Sequence, residues 1–176
     1  YVEIINTSGE EMVANIEAVS PYTAENGVIE YTPSDKAASS LGLPSFVDIA
    51  SVSESQVQIP ASESRTAEVS FTLPEESFDG QVFGAVRITK QLSDKANLDT
   101  EQSGGVMILN QYTYAVPVLV SVSDAEVQPD FTLEDVSMQR VHYQEAIVHE
   151  IRNTQPVLVN PMSVKITVYR EEQAIE

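Results

Sequence analysis

Hydrophobic positions in this chain recur at every second residue, and a helical period is hard to find. Ala67, Val69, Phe71 and Leu73 alternate with Glu68, Ser70 and Thr72, the pattern of a strand that buries one face and wets the other. Met12, Ala14, Ile16 and Ala18 share one face of a second segment, and Val82, Gly84, Val86 and Ile88 share one face of a third. The longest stripe runs through Tyr112, Tyr114, Val116, Val118, Val120 and Val122. Pro117 lies inside it, and because proline cannot donate to a ladder it predicts an edge or a bulge there.

Turn chemistry falls between these stripes. Asn26-Gly27 and Asp79-Gly80 both supply the positive φ that tight hairpin turns need, and each precedes a strand-like run. Strands spaced about ten residues apart with turns between them predict a β-sandwich. Residues 91–104 carry no period and read as a loop, and the Ala/Ser-rich residues 33–45 have room for one short helical turn. An acidic, proline-containing stretch at 124–130 reads as a linker between a first domain at 1–123 and a second at 131–176. Beyond it, 131–138, 146–152 and 163–169 read as three further strands, too few to close a second sandwich. The expectation is therefore an all-β chain of two tandem immunoglobulin-like β-sandwich domains, the second incomplete.

Composition removes several functions. With 27 Asp+Glu against 9 Lys+Arg, the formal net charge is −18, so no basic patch exists for nucleic acid or an anionic membrane surface. There is no Cys, which excludes disulfides, thiolate nucleophiles and Cys-ligated zinc. The longest strongly apolar stretch, residues 114–122, is far short of the roughly 20 residues a membrane helix needs. No leader-like pattern opens the chain, which begins at Tyr1 inside a strand-like run and reads as a mature or internal fragment.

Candidate chemistry is sparse. The two histidines, His142 and His149, lie near no nucleophile elbow, and His149 shares the parity of Ile147 and Ile151, as a structural residue would. Gly104-Gly105 reads as a strand-entry turn rather than a phosphate cradle. Carboxylates gather at Glu75, Glu76 and Asp79, at Asp94, Asp99 and Glu101, and at Glu134 and Asp135; no calcium-loop spacing accompanies them, and they read as solvated loop charge. The chain reads as a non-enzyme that uses no cofactor and no metal. Tyr22, Asn26 and Tyr31, and the pair Tyr112 and Tyr114, are the candidate ligand-binding residues, since tyrosine faces and short amides suit glycans and peptides. Turn geometry accounts for Asn26, and β propensity for the tyrosines, equally well.

Several phrases in order resemble the WxL-interacting proteins of Gram-positive bacteria. They are VEIINTS at 2–8, the hairpin YTAENGVIEY at 22–31, VQIPAS at 57–62, Leu73-Pro74, and FDGQVFGAV at 78–86; past the linker come Ile151-Arg152-Asn153-Thr154 and Val159-Asn160-Pro161. The resemblance implies an extracellular protein at the cell wall whose first domain contacts peptidoglycan. Its second domain would bind host extracellular proteins, and its partner would be a WxL-domain protein. In such a bacterial chain the sequon Asn6-Thr7-Ser8 carries no glycan. The rival reading is an assembly protein that accepts a strand from another chain at open sheet edges.

Overall fold

A computed structural model describes residues 1–34, 41–92, 110–141, 143–170 and 173–175, with backbone only for 170 and 173–175. The chain is all-β with a single short helix among the described residues, and it separates into two compact units, Tyr1–Val127 and Gln128–Glu176. The expectations for residues 93–105, including Asp94, Asp99, Glu101 and Gly104-Gly105, and those for His142 and 35–40, lie outside the described residues.

The first unit is a two-layer sandwich of immunoglobulin-like type. One layer is the four-stranded sheet β10-β9-β2-β6, formed by Thr113–Ser121 (β10), Gln81–Lys90 (β9), Met12–Val19 (β2) and Gln56–Ile59 (β6). The other layer consists of Val2–Ile5 (β1) paired with Ser64–Ala67 (β7), and Ala50–Val52 (β5) paired with Val69–Phe71 (β8). Period-two alternation aims Ala14, Ile16, Val57, Ile59, Val86 and Ile88 of the first layer at Ile4 and Ala67 of the second, and these residues form one buried cluster. Strand β9 lies between β2 and β10, and even its outward-facing Ala85 is fully buried, as expected of a central strand.

A second cluster closes one end of the sandwich. The helix α1 (Phe46–Ile49) inserts Phe46 and Ile49 beside Ala50 and Val82. Two contacts hold this single turn. Ser20 Oγ accepts the Val47 N–H at 3.2 Å, and the Asp48 carboxylate accepts both the N–H and the Oγ–H of Ser45, at 2.8 and 2.7 Å. The ring of Phe46 occupies the space over Gly84, where a Cβ would lie 1.7 Å from its Cγ. Glycine in the middle of β9 is therefore a packing requirement, not a turn.

Of three local expectations, two need correction and one holds. The alternating run at 67–73 is two strands rather than one. β7 pairs with β1, β8 pairs with β5, and between them the Glu68 carbonyl accepts the Ser53 N–H at 3.0 Å, while Leu73 lies beyond both, 48% exposed. Asp79-Gly80 makes no hairpin. Gly80 has a φ of 146°, but the strand before it pairs in the opposite layer, so the dipeptide serves as an entry to β9. Asn26-Gly27 does turn a hairpin, between Tyr22–Thr23 (β3) and Ile29–Glu30 (β4), with Gly27 at φ 80° and Asn26 Oδ1 accepting the Val28 N–H.

Pro117 sits on an edge, as its chemistry requires. The Lys90 N–H donates to the Tyr112 carbonyl and the Val122 N–H to the Gly80 carbonyl, which fixes the phase of the β9–β10 ladder. Even-numbered residues of β10 bond to β9 and odd-numbered ones turn their backbone outward, so Pro117 removes no ladder bond.

The second unit contains a long hairpin of Phe131–Val141 (β11) and Gln144–Asn153 (β12), with a register shift between Leu133 and Asp135. Asp130 latches its open end, its carbonyl accepting the Thr154 N–H at 2.8 Å. A short ribbon pairs Val168–Arg170 (β13) with Gln173–Ile175 (β14). The strand expected at 163–169 shrinks to β13. Val164 and Ile166 do alternate, but no strand among the described residues pairs with 163–167, and alternation specifies a face without supplying a neighbour.

Two outcomes are expected. Gly84→Ala should lower the unfolding free energy by about 3 kcal/mol, at the upper end of overpacking costs, measured by urea denaturation, and Gly84→Ala with Phe46→Leu should recover part of the loss. The hydrogen bonds from Ser45 hold the Asp48 carboxyl below its ordinary value of 3.8. Its contribution is therefore present above that ordinary value and is lost as pH falls through the lower folded-state value. Asp48→Ala should lower Tm at pH 7, by no more than about 1 kcal/mol in stability given its exposure, and the gap from the parent should close in strong acid.

Candidate functional site

The described surface of the first unit opens between β1 and the start of β10. A cleft of about 770 Å³ is walled by the β1–β2 turn, by the end of β9 and by the residues leading into β10. It joins an apolar groove of about 470 Å³ that runs between β1 and β10 over Met12 and Ile88, and both share Ser8, Met12, Lys90 and Tyr112. Amides line the wider part: Gln91, Asn110 and Gln111. Gln111 is anchored by donating to the Lys90 carbonyl at 3.1 Å, and Gln91 Oε1 accepts from Gln56 at 3.2 Å. Glu10 and Glu11 stand against the one ammonium, Lys90. Amides offer donors and acceptors together, and the Tyr112 ring, 63% exposed, offers a flat apolar face; such a lining suits sugar hydroxyls and peptide groups.

The rim owes its shape to Asn6, a buried polar residue only 1% exposed. Its Nδ2 donates to the carbonyls of Glu10, Ile59 and Pro60 at 2.8, 3.0 and 3.0 Å, and its Oδ1 accepts from the N–H and the Oγ–H of Ser8 at 3.0 and 2.7 Å. One side chain thus ties the β1–β2 turn to the end of β6. The sequon at Asn6 is explained by this knot, since the second hydroxyl residue of Asn6-Thr7-Ser8 is a hydrogen-bond partner of the asparagine.

The five residues singled out in the sequence separate into two groups. Tyr112 and Tyr114 line the groove, 63% and 67% exposed, with Tyr114 opposite Ile88. Tyr22, Asn26 and Tyr31 lie at the other end of β9. Tyr31 packs edge-on against Phe83, with ring centroids 6.2 Å apart, and Phe83 precedes Ile88 by five residues, roughly 17 Å of strand. The Tyr22 hydroxyl donates to the Glu30 carboxylate at 2.7 Å, which raises the phenol pKa above its usual value, and Asn26 serves its own turn. Sequence reasoning passed over Lys90, Gln91, Asn110 and Gln111. The signal available was the polar run Asn110-Gln111 at the mouth of a long apolar stripe.

Chemistry beyond binding finds no assembled group. No histidine lines either opening, and among the described residues no three His, Asp or Glu side chains come together to hold a metal. His149 is half-buried in the second unit, opposite Val136. No helix among the described residues is long and apolar enough to cross a membrane.

Fold and opening together define a β-sandwich binding module. Residues 1–90 match the family model for the WxL Interacting Protein peptidoglycan binding domain, and residues 103–175 match the one for the WxL Interacting Protein host binding domain. The chain belongs to the WxL-interacting protein family. The second match begins before β10, although β10 pairs with β9 in the first unit. A search of curated proteins found no match. Among solved structures the chain is similar to one from a chaperone-tip adhesin complex described as vital for synergistic activation of CFA/I fimbriae biogenesis, at 12% identity and TM-score 0.48. That likeness covers 88% of this chain and 59% of the other. It is also similar to the E. coli chaperone DraB, at 14% identity and TM-score 0.42, over 98% of this chain and 71% of the other.

Asn6→Asp keeps the shape of the knot but replaces its donor with a buried carboxylate facing three carbonyls. The expected cost at neutral pH is about 3 kcal/mol or more, the scale of a buried charge or donor left without its partner. Thermal unfolding of Asn6→Asp beside Asn6→Ala measures it, and a parent-like Tm for both would mean that the amide does not hold the rim.

Proposed function

We propose that this protein is a non-enzymatic binding protein at the outer wall of a Gram-positive bacterium. Its first unit holds peptidoglycan, and the protein serves as an adaptor for a WxL-domain partner and for host extracellular proteins. The observation that carries the reading is the match of residues 1–90 to a peptidoglycan binding domain, in a chain whose described surface opens into a cleft that this segment walls with residues 8–13 and Lys90, while the amides Gln91, Asn110 and Gln111 close it from beyond the match. Tyr112 and Tyr114 are assigned the contacts with the wall ligand, stacking on sugar or peptide faces, while Gln91, Asn110 and Gln111 supply hydrogen bonds. Tyr22, Asn26 and Tyr31 lie away from the cleft, engaged by Glu30, the Val28 N–H and Phe83, and are assigned no contact with the wall ligand. A charge of −18 repels anionic wall polymers, so affinity rests on shape and hydrogen bonding rather than on net attraction.

Co-sedimentation with purified peptidoglycan sacculi tests this. The full chain should pellet saturably, and Tyr112→Ala should weaken binding roughly two- to ten-fold, the equivalent of one aromatic contact. Asn26→Ala should leave wall binding unchanged. Absence of pelleting, or equal loss from both variants, would remove the assignment. Capture of a purified WxL domain tests the adaptor role separately.

A further inference from the structure

The cleft presents charge of both signs, and one of those charges stands where the strand pattern calls for an apolar residue. On β9 the positions Val82, Val86 and Ile88 face the interior and are buried, and Lys90 continues the same parity at the strand's end. Its N–H donates to the Tyr112 carbonyl at 3.1 Å, so the two residues are neighbours on one sheet face; both are exposed and both line the cleft. A core stripe thus ends in an ammonium that faces the opening beside an aromatic ring. Glu10 and Glu11, also exposed, line the same cleft from the β1–β2 turn. The Glu10 carbonyl accepts from Asn6 Nδ2 and Ser8 Oγ at 2.8 and 2.9 Å, which fixes the backbone that carries these two carboxylates.

We infer that the cleft reads the peptide arm of peptidoglycan in its uncross-linked form, and not the glycan strand. Lys90 pairs with a carboxylate of the arm, and Glu10 and Glu11 pair with the free ammonium of its diamino acid. The inference rests on the assignment of wall binding to the first unit and names what that site recognises. Charge decides between the two parts of the polymer. The sugars of the glycan strand are N-acetylated and the muramyl carboxyl is spent in the amide to the peptide, so the strand carries no charge for Lys90, Glu10 or Glu11 to meet. An uncross-linked arm carries both signs, and cross-linking consumes its ammonium. Polarity agrees, because the groove that continues the cleft runs over Met12 and Ile88, where a polyhydroxylated strand would leave hydroxyls without partners. Two carboxylates beside one ammonium also reject a purely anionic polymer, as complementary charge gives specificity more than raw affinity.

The test displaces the full chain from purified sacculi with soluble competitors. They are a synthetic lysine-containing stem peptide with both charges free, the same peptide amidated at its carboxyl end, the same peptide acetylated on its lysine amine, and glycan strands stripped of peptide by an amidase. The free peptide should displace the protein saturably and the stripped strands should not. Each cap should weaken competition about two- to five-fold, the scale of a solvent-exposed ion pair, and added salt should shrink that difference. Lys90→Gln should weaken the free peptide by a similar factor and abolish the response to amidation while keeping the response to acetylation; Glu10→Gln with Glu11→Gln should do the reverse. Pelleting that persists while stripped strands compete as well as the peptide, or while capped and free peptides compete equally, would overturn the inference and leave wall binding standing. A Lys90→Gln protein still sensitive to amidation would overturn the role of Lys90. No pelleting of the parent chain would remove the wall-binding assignment and this inference with it.

Discussion

A single buried amide organises the first unit. The Asn6 side chain makes five hydrogen bonds, donating to the carbonyls of Glu10, Ile59 and Pro60 and accepting two from Ser8. A buried polar group without a partner costs about 1–3 kcal/mol, and Asn6 is 1% exposed, so the turn regions around it hold their shape because moving away would strand this amide. With that turn fixed, β1 lies along β7, Ile4 is delivered to the core, and the outer edge of β1 becomes one wall of the groove.

The strands with the most one-sided burial were the most legible. In β2 and β9 the alternation visible in the sequence is the alternation found, with Ala14, Ile16, Val82, Val86 and Ile88 all buried. Legibility fell wherever pairing, not facing, decided the outcome. The run at 67–73 has one continuous period, yet the chain changes neighbour at Glu68; nothing in the side-chain pattern records which backbone lies alongside. Val164 and Ile166 show the same limit. Gly84 was read as one position on a strand face, and only the packed ring of Phe46, distant in sequence, reveals why a side chain is excluded there.

The candidate site was half legible. Tyr112 and Tyr114 were found because a tyrosine on an apolar stripe draws notice, and they do line the opening. The amides around them were missed, since Gln91 and Gln111 are ordinary polar residues until the register of β9 and β10 brings Lys90 and Tyr112 side by side. Tyr22 and Asn26 had the right chemistry but are already engaged locally, by Glu30 and by the Val28 N–H. Composition can nominate a residue for recognition; only geometry tells whether its polar atoms are spoken for.

The burial of Asn6 bears on how this protein is best produced. Asn6-Thr7-Ser8 satisfies the acceptor rule for N-linked sugar, and a eukaryotic secretory pathway modifies such sites on the nascent polypeptide, before a β-sandwich has closed. An oligosaccharide on that nitrogen replaces one of its two N–H donors and is far too large for a position 1% exposed. Cytosolic or bacterial production lets the amide reach its pocket unmodified, whereas secretion from yeast or animal cells would yield chains unable to complete it.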